Sequence, residues 1–335
     1  MSMNKLKEYI AKGKEKTLIL SLDLDNTLVN RDLGNNWVLP QTIELLDKLK
    51  KQNKIKLLIN TGRELMGYAA FCKEVTNINN AILGSGSIIL VNGKSIFNKR
   101  GEIEKEIVER FLNSVRNGVL PFVDFSHSQG RSLYFNDDVV EKEGFMDLFY
   151  SQNPRGWFGD VLPPCISIKN DDTHPKQIFR VEFPISNDQK IFYDKISSKS
   201  SDAIQSMADL LGTDSSIEKK YMLKKKAFFN DKFKDRCVFG RLERSSKFIN
   251  KGIGLVKWLE QSEISMSKVL VVHIGDRDSG IIDDTLVKQH ITDAFMIMVG
   301  EKSKSDNSSV DLYMKGAVDQ AVYDVLEMVN VLSNQ

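Results

Sequence analysis

The chain has 335 residues, 41% of them apolar, and sets 47 Lys and Arg against 45 Asp and Glu. That is long enough for a large core and two domains, since single cores seldom grow past roughly 250 residues, and too apolar for a disordered chain. The near-zero net charge argues against a nucleic-acid or membrane surface, and no apolar run approaches the roughly 20 residues of a bilayer span, so the expected compartment is the cytosol. The cysteines, Cys72, Cys165 and Cys237, are odd in number and widely spaced. They read as reduced thiols with a packing role, not as zinc ligands.

In chain order, the first predicted element is an apolar strand from Thr17 to Leu22, which runs into Asp23-Leu24-Asp25-Asn26-Thr27. If the strand continued, its alternation would project Asp23 and Asp25 the same way. One carboxylate can then attack phosphorus while the other handles the leaving group's proton, and a divalent cation must offset their repulsion. The plainer alternative is a polar strand end in a turn. A polar loop leads to Pro40, a helix over Gln41 to Lys50 and a second strand over Ile55 to Ile59. This βαβ rhythm predicts a parallel sheet with its chemistry at the carboxyl ends of the strands.

A helix from Glu64 to Val75 and a short strand at Ala81 to Leu83 follow, then a hairpin of Ile88 to Val91 and Ile96-Phe97 about Asn92-Gly93. Ile103, Ile107, Phe111 and Val115 mark one face of a helix. Strands are expected at Ser132 to Phe135, Ile166 to Ile168 and Ile178 to Phe183, with a helix near Asp194 to Leu211. Lys224-Lys225-Lys226 reads as a solvated face. After Glu243 the βα rhythm returns, with a helix over Gly252 to Glu260, strands over Val269 to Ile274 and Ala294 to Val299, and a closing helix over Ala317 to Leu332. The fold class is therefore α/β, a doubly wound parallel-sheet core (1–86 and 241–335) with an inserted α+β domain (87–240).

Other strand ends supply the remaining parts of a phosphoryl-transfer site. The second predicted strand ends in Asn60-Thr61-Gly62-Arg63, where the Thr61 hydroxyl and the N–H groups that follow can hold phosphoryl oxygens, or Thr61 is simply an N-cap. Lys251-Gly252 opens a later helix and offers an ammonium. Val269 to Ile274 ends in Gly275-Asp276-Arg277-Asp278, where an acid can complete an oxygen-ligand cation site. Together the DLDNT at Asp23 to Thr27, the TGR at Thr61 to Arg63, Lys251-Gly252 and the GD at Gly275-Asp276 resemble the haloacid dehalogenase superfamily. The TGR, the hairpin after it and the long insertion before Lys251 are most similar to its Cof-type and sucrose-phosphatase-like branch, which carries a large cap.

The resemblance implies a Mg2+-dependent phosphatase with a Rossmannoid core and a specificity cap, acting on a small phosphorylated metabolite such as a sugar phosphate. It makes Asp23 the nucleophile of an aspartyl-phosphate and Asp25 the acid and later the base. Thr61, Gly62 and Lys251 would bind the phosphoryl group, and Asp23, the Asp25 main-chain carbonyl and Asp276 would ligate Mg2+. The branch pattern expects a second acid four positions after Asp276, and that place is Gly280. Asp278 stands too early, and Asp283 and Asp284 too late; Asp278 takes the role by this reading, with Asp283 or water as alternatives. Arg131, His127 and Arg180 are candidate substrate contacts of the cap. A phosphomutase and a non-catalytic binding protein on the same scaffold are the competing readings.

Overall fold

The computed structural model describes residues 3–29, 38–118, 120, 122–137, 164–169, 175–184, 221–228, 237–244, 247–276, 284–300, 309–315 and 318–333. Contacts divide the chain into two units, one of Met1–Arg63, Tyr68–Asn98 and Ile249–Gln335, the other of Glu64–Gly67 and Lys99–Phe248.

The first unit opens with helix α1 (Asn4–Ala11), which buries Leu6 and Ile10. Strand β1 (Thr17–Leu22) is buried from Leu18 to Leu22, as a strand covered on both faces must be. Helix α2 (Pro40–Lys50) starts on a proline, whose missing N–H costs nothing in the first turn, and buries Thr42, Leu45, Leu46 and Leu49. Strand β2 (Ile55–Asn60), helix α3 (Leu65–Glu74), strand β3 (Ala81–Leu83) and the hairpin of β4 (Ile88–Val91) and β5 (Lys94–Phe97) follow.

The chain then builds the second unit from helix α4 (Lys105–Arg116) and strands β6 (Phe122–His127), β7 (Gly130–Phe135), β8 (Cys165–Ser167), β9 (Ile178–Pro184), β10 (Tyr221–Phe228) and β11 (Cys237–Arg244). These strands form a six-stranded sheet in the order β10-β11-β9-β6-β7-β8. Its core packs Phe111, Leu112 and Val115 of α4 with Phe125, Val181 and Phe183 of the sheet.

Returning to the first unit, the chain adds helix α5 (Lys251–Gln261), strand β12 (Val269–Asp276), helix α6 (Leu286–His290), strands β13 (Phe295–Val299) and β14 (Leu312–Met314), and helix α7 (Val318–Ser333). The eight-stranded sheet runs β14-β13-β12-β1-β2-β3-β4-β5. All neighbours from β14 to β3 are parallel, and the hairpin is antiparallel. Successive connections leave β1 toward β2 on one side, while β12 lies on its other side. That reversal opens a crevice at the carboxyl ends of β1 and β12, where ligands of doubly wound sheets bind.

The doubly wound core is as expected, and the unit boundaries differ from the expected 86/87 and 240/241. The hairpin β4–β5 pairs with β3 in the larger sheet, with Ile89 packed beside Ile82, so the first unit extends to Asn98. At the other end β11 stays paired with β9 as far as Glu243, and the second unit extends to Phe248. The sequence reading omitted α1, α6, β6, β10, β11 and β14. The lysine run lies inside β10, in register with Phe239, Gly240 and Arg241 of β11. The helix expected near Asp194 to Leu211 lies outside the described residues. Cys72 and Cys165 are half-buried thiols. Among the described residues no helix is long and apolar enough to cross a membrane.

The contact of α1 with the sheet is specific. The Tyr9 hydroxyl accepts from the Val271 N–H and donates to its carbonyl, both at 3.1 Å, on the part of β12 that precedes its pairing with β13. Burial pushes the Tyr9 phenol up to about 12. Tyr9→Phe removes both bonds and leaves two backbone groups under-satisfied, so it should cost about 1–2 kcal/mol in urea unfolding.

Candidate active site

Asp23 is the first residue past β1, and its N–H donates to the Ile274 carbonyl of β12 at 2.9 Å, which pins it at the crevice. The strand does not continue through Asp25. The segment closes on itself through Val29 N–H to the Leu24 carbonyl at 2.8 Å and Asn26 N–H to the Val29 carbonyl at 3.1 Å. Asn26 sits at a φ of 54°, a left-handed conformation that asparagine tolerates better than most residues.

Lys251, the first residue of α5, carries the ammonium to the same crevice. Asn250 caps the helix, its side-chain oxygen accepting from the Ile253 N–H at 2.8 Å, which fixes the end from which Lys251 projects. Lys251 Nζ lies 3.0 Å from Asp23 Oδ1 and 2.7 Å from Asp284 Oδ1. All three residues are buried, at 5% exposure or less. Asp276 ends β12, and one carboxylate oxygen each from Asp23, Asp276 and Asp284 lie within 4.8 Å of one another.

The expected residues Asp23, Lys251 and Asp276 are therefore brought together. Asp278 and Asp283 lie outside the described residues. Asp284, set aside on spacing alone, is the acid that stands with the other two. Two features of β12 receive it: His273 Nε2 donates to its Oδ1 at 2.6 Å, and Gly275 leaves room for it, since a Cβ there would stand 2.4 Å from the Asp284 carboxyl carbon. Gly275→Ala should therefore displace Asp284, costing about 1–3 kcal/mol of stability. The same variant should weaken the binding of any divalent cation that the cluster holds, measured by calorimetry.

Protonation divides unevenly across the cluster. Burial pushes the Asp23 carboxyl well up, Lys251 pulls it down, and Asp284, Asp276 and Asp25 push up again. Burial also pushes Asp284 up, but Lys251 and the hydrogen bond from His273 outweigh it and hold Asp284 below the ordinary range. One ammonium cannot neutralise three carboxylates, and the deficit falls on Asp23. A divalent cation would remove it, and an all-carboxylate donor set is the hard oxygen chemistry that suits Mg2+.

Asp25 is engaged by Arg63, with Nε donating to Oδ2 at 2.9 Å and Nη2 to Oδ1. A bidentate guanidinium fixes a carboxylate's plane as well as its place. Thr61 follows β2 and is buried. It is not an N-cap of α3, which begins at Leu65. Its hydroxyl oxygen instead accepts from the Arg63 N–H at 3.2 Å, and its own N–H donates to the Ile82 carbonyl at 2.9 Å. The turn through Gly62 is thereby fixed, with Ser85 Oγ 3.4 Å from where a Gly62 Cβ would stand.

In the second unit the three candidate contacts are already engaged. Arg131 pairs with Asp124 and lies 3.9 Å from Glu182, Arg180 Nε donates to Glu243 at 2.5 Å, and His127 Nε2 bonds Ser132 Oγ at 2.9 Å.

The model of the haloacid dehalogenase-like hydrolases matches residues 20–281, which takes in the end of β1, the Asp23 segment and β12. The chain belongs to the haloacid dehalogenase-like hydrolase family. Among solved structures, an HAD/COF-like hydrolase from Plasmodium vivax aligns at 16% identity and a TM-score of 0.63, over 98% of this chain and 99% of that one. An HAD subclass IIB sugar phosphatase aligns at 14% identity and a TM-score of 0.58, over 94% and 100%. A haloacid dehalogenase-like hydrolase from Bacillus subtilis aligns at 13% and 0.54, over 92% and 98%. At such identities the likeness is one of fold, and it extends over nearly the full length of each hydrolase. A search among curated proteins finds no match.

Within the family motifs, Arg63, Asp284 and His273 are the residues whose parts were not foreseen. The signal for His273 was in view, as a lone polar residue inside the apolar run Val269 to Ile274. Asp284 had a weaker one, an acidic residue just ahead of a short helix.

Proposed function

We propose that this family member is a Mg2+-dependent phosphomonoester hydrolase that works through an aspartyl-phosphate on Asp23. The observation that carries the reading is the double ion pair of Lys251 with Asp23 and Asp284, with Asp276 beside them, at the topological switch of the sheet.

Asp23, Asp276 and Asp284, with the main-chain carbonyl of Asp25, would hold the cation, which when bound offsets the charge between carboxylate and phosphate. Asp23 then attacks phosphorus as a buried carboxylate with little room to relax, and the covalent step divides one hard displacement into two easier ones. The Lys251 ammonium and the Thr61–Gly62 turn hold the phosphoryl oxygens, where negative charge is greatest in transfer. Asp25, whose carboxyl group Arg63 orients, must first take up a proton from solvent; it then protonates the leaving oxygen and regains a proton from the attacking water. The second unit would set specificity for a small phosphorylated metabolite such as a sugar phosphate.

The test is a panel of phosphorylated metabolites and a generic aryl phosphate, assayed with Mg2+ and with chelator. Release of free phosphate that stops on chelation is expected. Conversion of a sugar phosphate to its isomer without free phosphate would make the protein a mutase instead, and no turnover of any compound would remove the reading.

A further inference from the structure

We propose that His273 is a positioning residue, which through a closed ring of buried hydrogen bonds sets where Asp284 stands against Lys251 and so how tightly the cluster holds its cation. This rests on the Mg2+-dependent reading of the same site. The ring can be followed atom by atom. Lys251 Nζ donates to Asp284 Oδ1 at 2.7 Å, and His273 Nε2 donates to the same oxygen at 2.6 Å. His273 Nδ1 lies 2.8 Å from Ser21 Oγ. Asn60 Nδ2 donates to Ser21 Oγ and to the Lys251 carbonyl, each at 3.3 Å. The path returns to the residue it left, having crossed β2, β1 and β12.

The sense of the bond to Asp284 is settled by chemistry. A carboxylate only accepts, so Nε2 must carry the proton toward Asp284. In the neutral ring Nδ1 then accepts the Ser21 hydroxyl proton, while Asn60 supplies a donor to the Ser21 oxygen. The Asn60 amide cannot be turned over without facing its oxygen against the Lys251 carbonyl. Ser21, Asn60 and His273 are each 0% exposed, so bulk water does not compete for their hydrogen bonds.

Two independent features of β12 converge on Asp284. His273 and Gly275 are two apart and share one face of the strand. The first donates to the Asp284 carboxylate, and the second lacks the Cβ that would occupy its place. Asp276 is held by the strand itself, whereas Asp284 comes from a later segment and takes its position from these contacts and from Lys251. Residues that orient ligands in this way commonly matter to metal affinity almost as much as the ligands do.

The experiment is a calorimetric titration of chelator-treated protein with Mg2+, run beside aryl phosphate hydrolysis and thermal unfolding, on wild type, His273→Leu, His273→Gln and Ser21→Ala. His273→Leu is expected to weaken Mg2+ binding about 10–100-fold, with turnover recovered at raised Mg2+ and KM for the aryl phosphate little changed. His273→Gln, whose amide can restore the donor, should regain most of the affinity, and Ser21→Ala should lose part of it. Wild-type Mg2+ affinity in folded His273→Leu, with only the melting temperature lowered, would overturn the proposal. If His273→Leu does not fold, Ser21→Ala decides, with weakened binding supporting the proposal and wild-type affinity overturning it. Wild-type protein that binds Mg2+ but releases no phosphate would defeat the hydrolase reading alone, since the titrations would still decide the part of His273. Wild-type protein that binds no Mg2+ would overturn both.

Discussion

Asp23→Asn protein should fold, bind Mg2+ more weakly and lose phosphate release by a factor on the order of 10^3 or more, the scale seen when a covalent nucleophile is removed. The amide keeps the volume and one acceptor for Lys251 at a position only 4% exposed. It removes the nucleophile and a share of the negative charge. Its stability should also respond to pH in a definite direction. The Asp23 carboxyl is pushed up, first by burial and then by Asp284, Asp276 and Asp25, against Lys251. The native state therefore binds this proton more tightly than the unfolded chain, whose carboxyl titrates near about 3.9. Stability falls as pH rises through the window above that value, because the unfolded chain gives up the proton first. The side-chain amide of the variant does not titrate. Without divalent cation, the melting temperature of the variant should equal or exceed that of wild type at neutral pH, with the advantage shrinking toward acid. A variant less stable at neutral pH would mean that the Asp23–Lys251 pair is net stabilising.

Lys251→Met should be the most destabilising single change at the site. It leaves Asp23 and Asp284 buried beside each other and Asp276 without the ammonium between them. Removing one partner of a buried ion pair costs about 3–5 kcal/mol, far more than losing the pair's attraction in water. His273 still supports Asp284, so Asp23 carries most of the cost. The check is urea unfolding with chelator and with Mg2+. Mg2+ should stabilise the variant more than wild type, since the cation then meets the carboxylates without a competing ammonium. Equal stabilisation of both would argue that Mg2+ binds elsewhere. Phosphate release should fall steeply in either condition, for the ammonium is also lost to the phosphoryl oxygens.

What could be read from the sequence follows from how local each signal is. Asp23, Thr61 and Asp276 each follow an apolar run, and Lys251 opens a helix with an asparagine cap, so strand ends and helix starts pointed to them directly. The central sheet was legible for the same reason, because a parallel strand covered on both faces is a continuous apolar run. Asp284 was missed because spacing after Asp276 was taken as the guide. The structure instead depends on a missing Cβ at Gly275 and a donor at His273, which no count of positions registers. The Asp25–Arg63 clamp joins side chains far apart in sequence, and neither residue announces the other. In the second unit, Lys224-Lys225-Lys226 concealed β10, since charge interrupts the alternation by which a half-buried strand is recognised. The hairpin β4–β5 was assigned to the wrong side of the boundary because its own pattern says nothing of the sheet it joins.

The most direct measurement is acid-quench mass spectrometry of protein mixed with Mg2+ and an aryl phosphate. Peptides spanning Thr17 to Leu28 should carry a phosphoryl group on Asp23 in a fraction of molecules during turnover, and none in Asp23→Asn or with chelator. Phosphate release at full rate with that peptide unmodified, or a phosphoryl group found on another residue, would contradict the account.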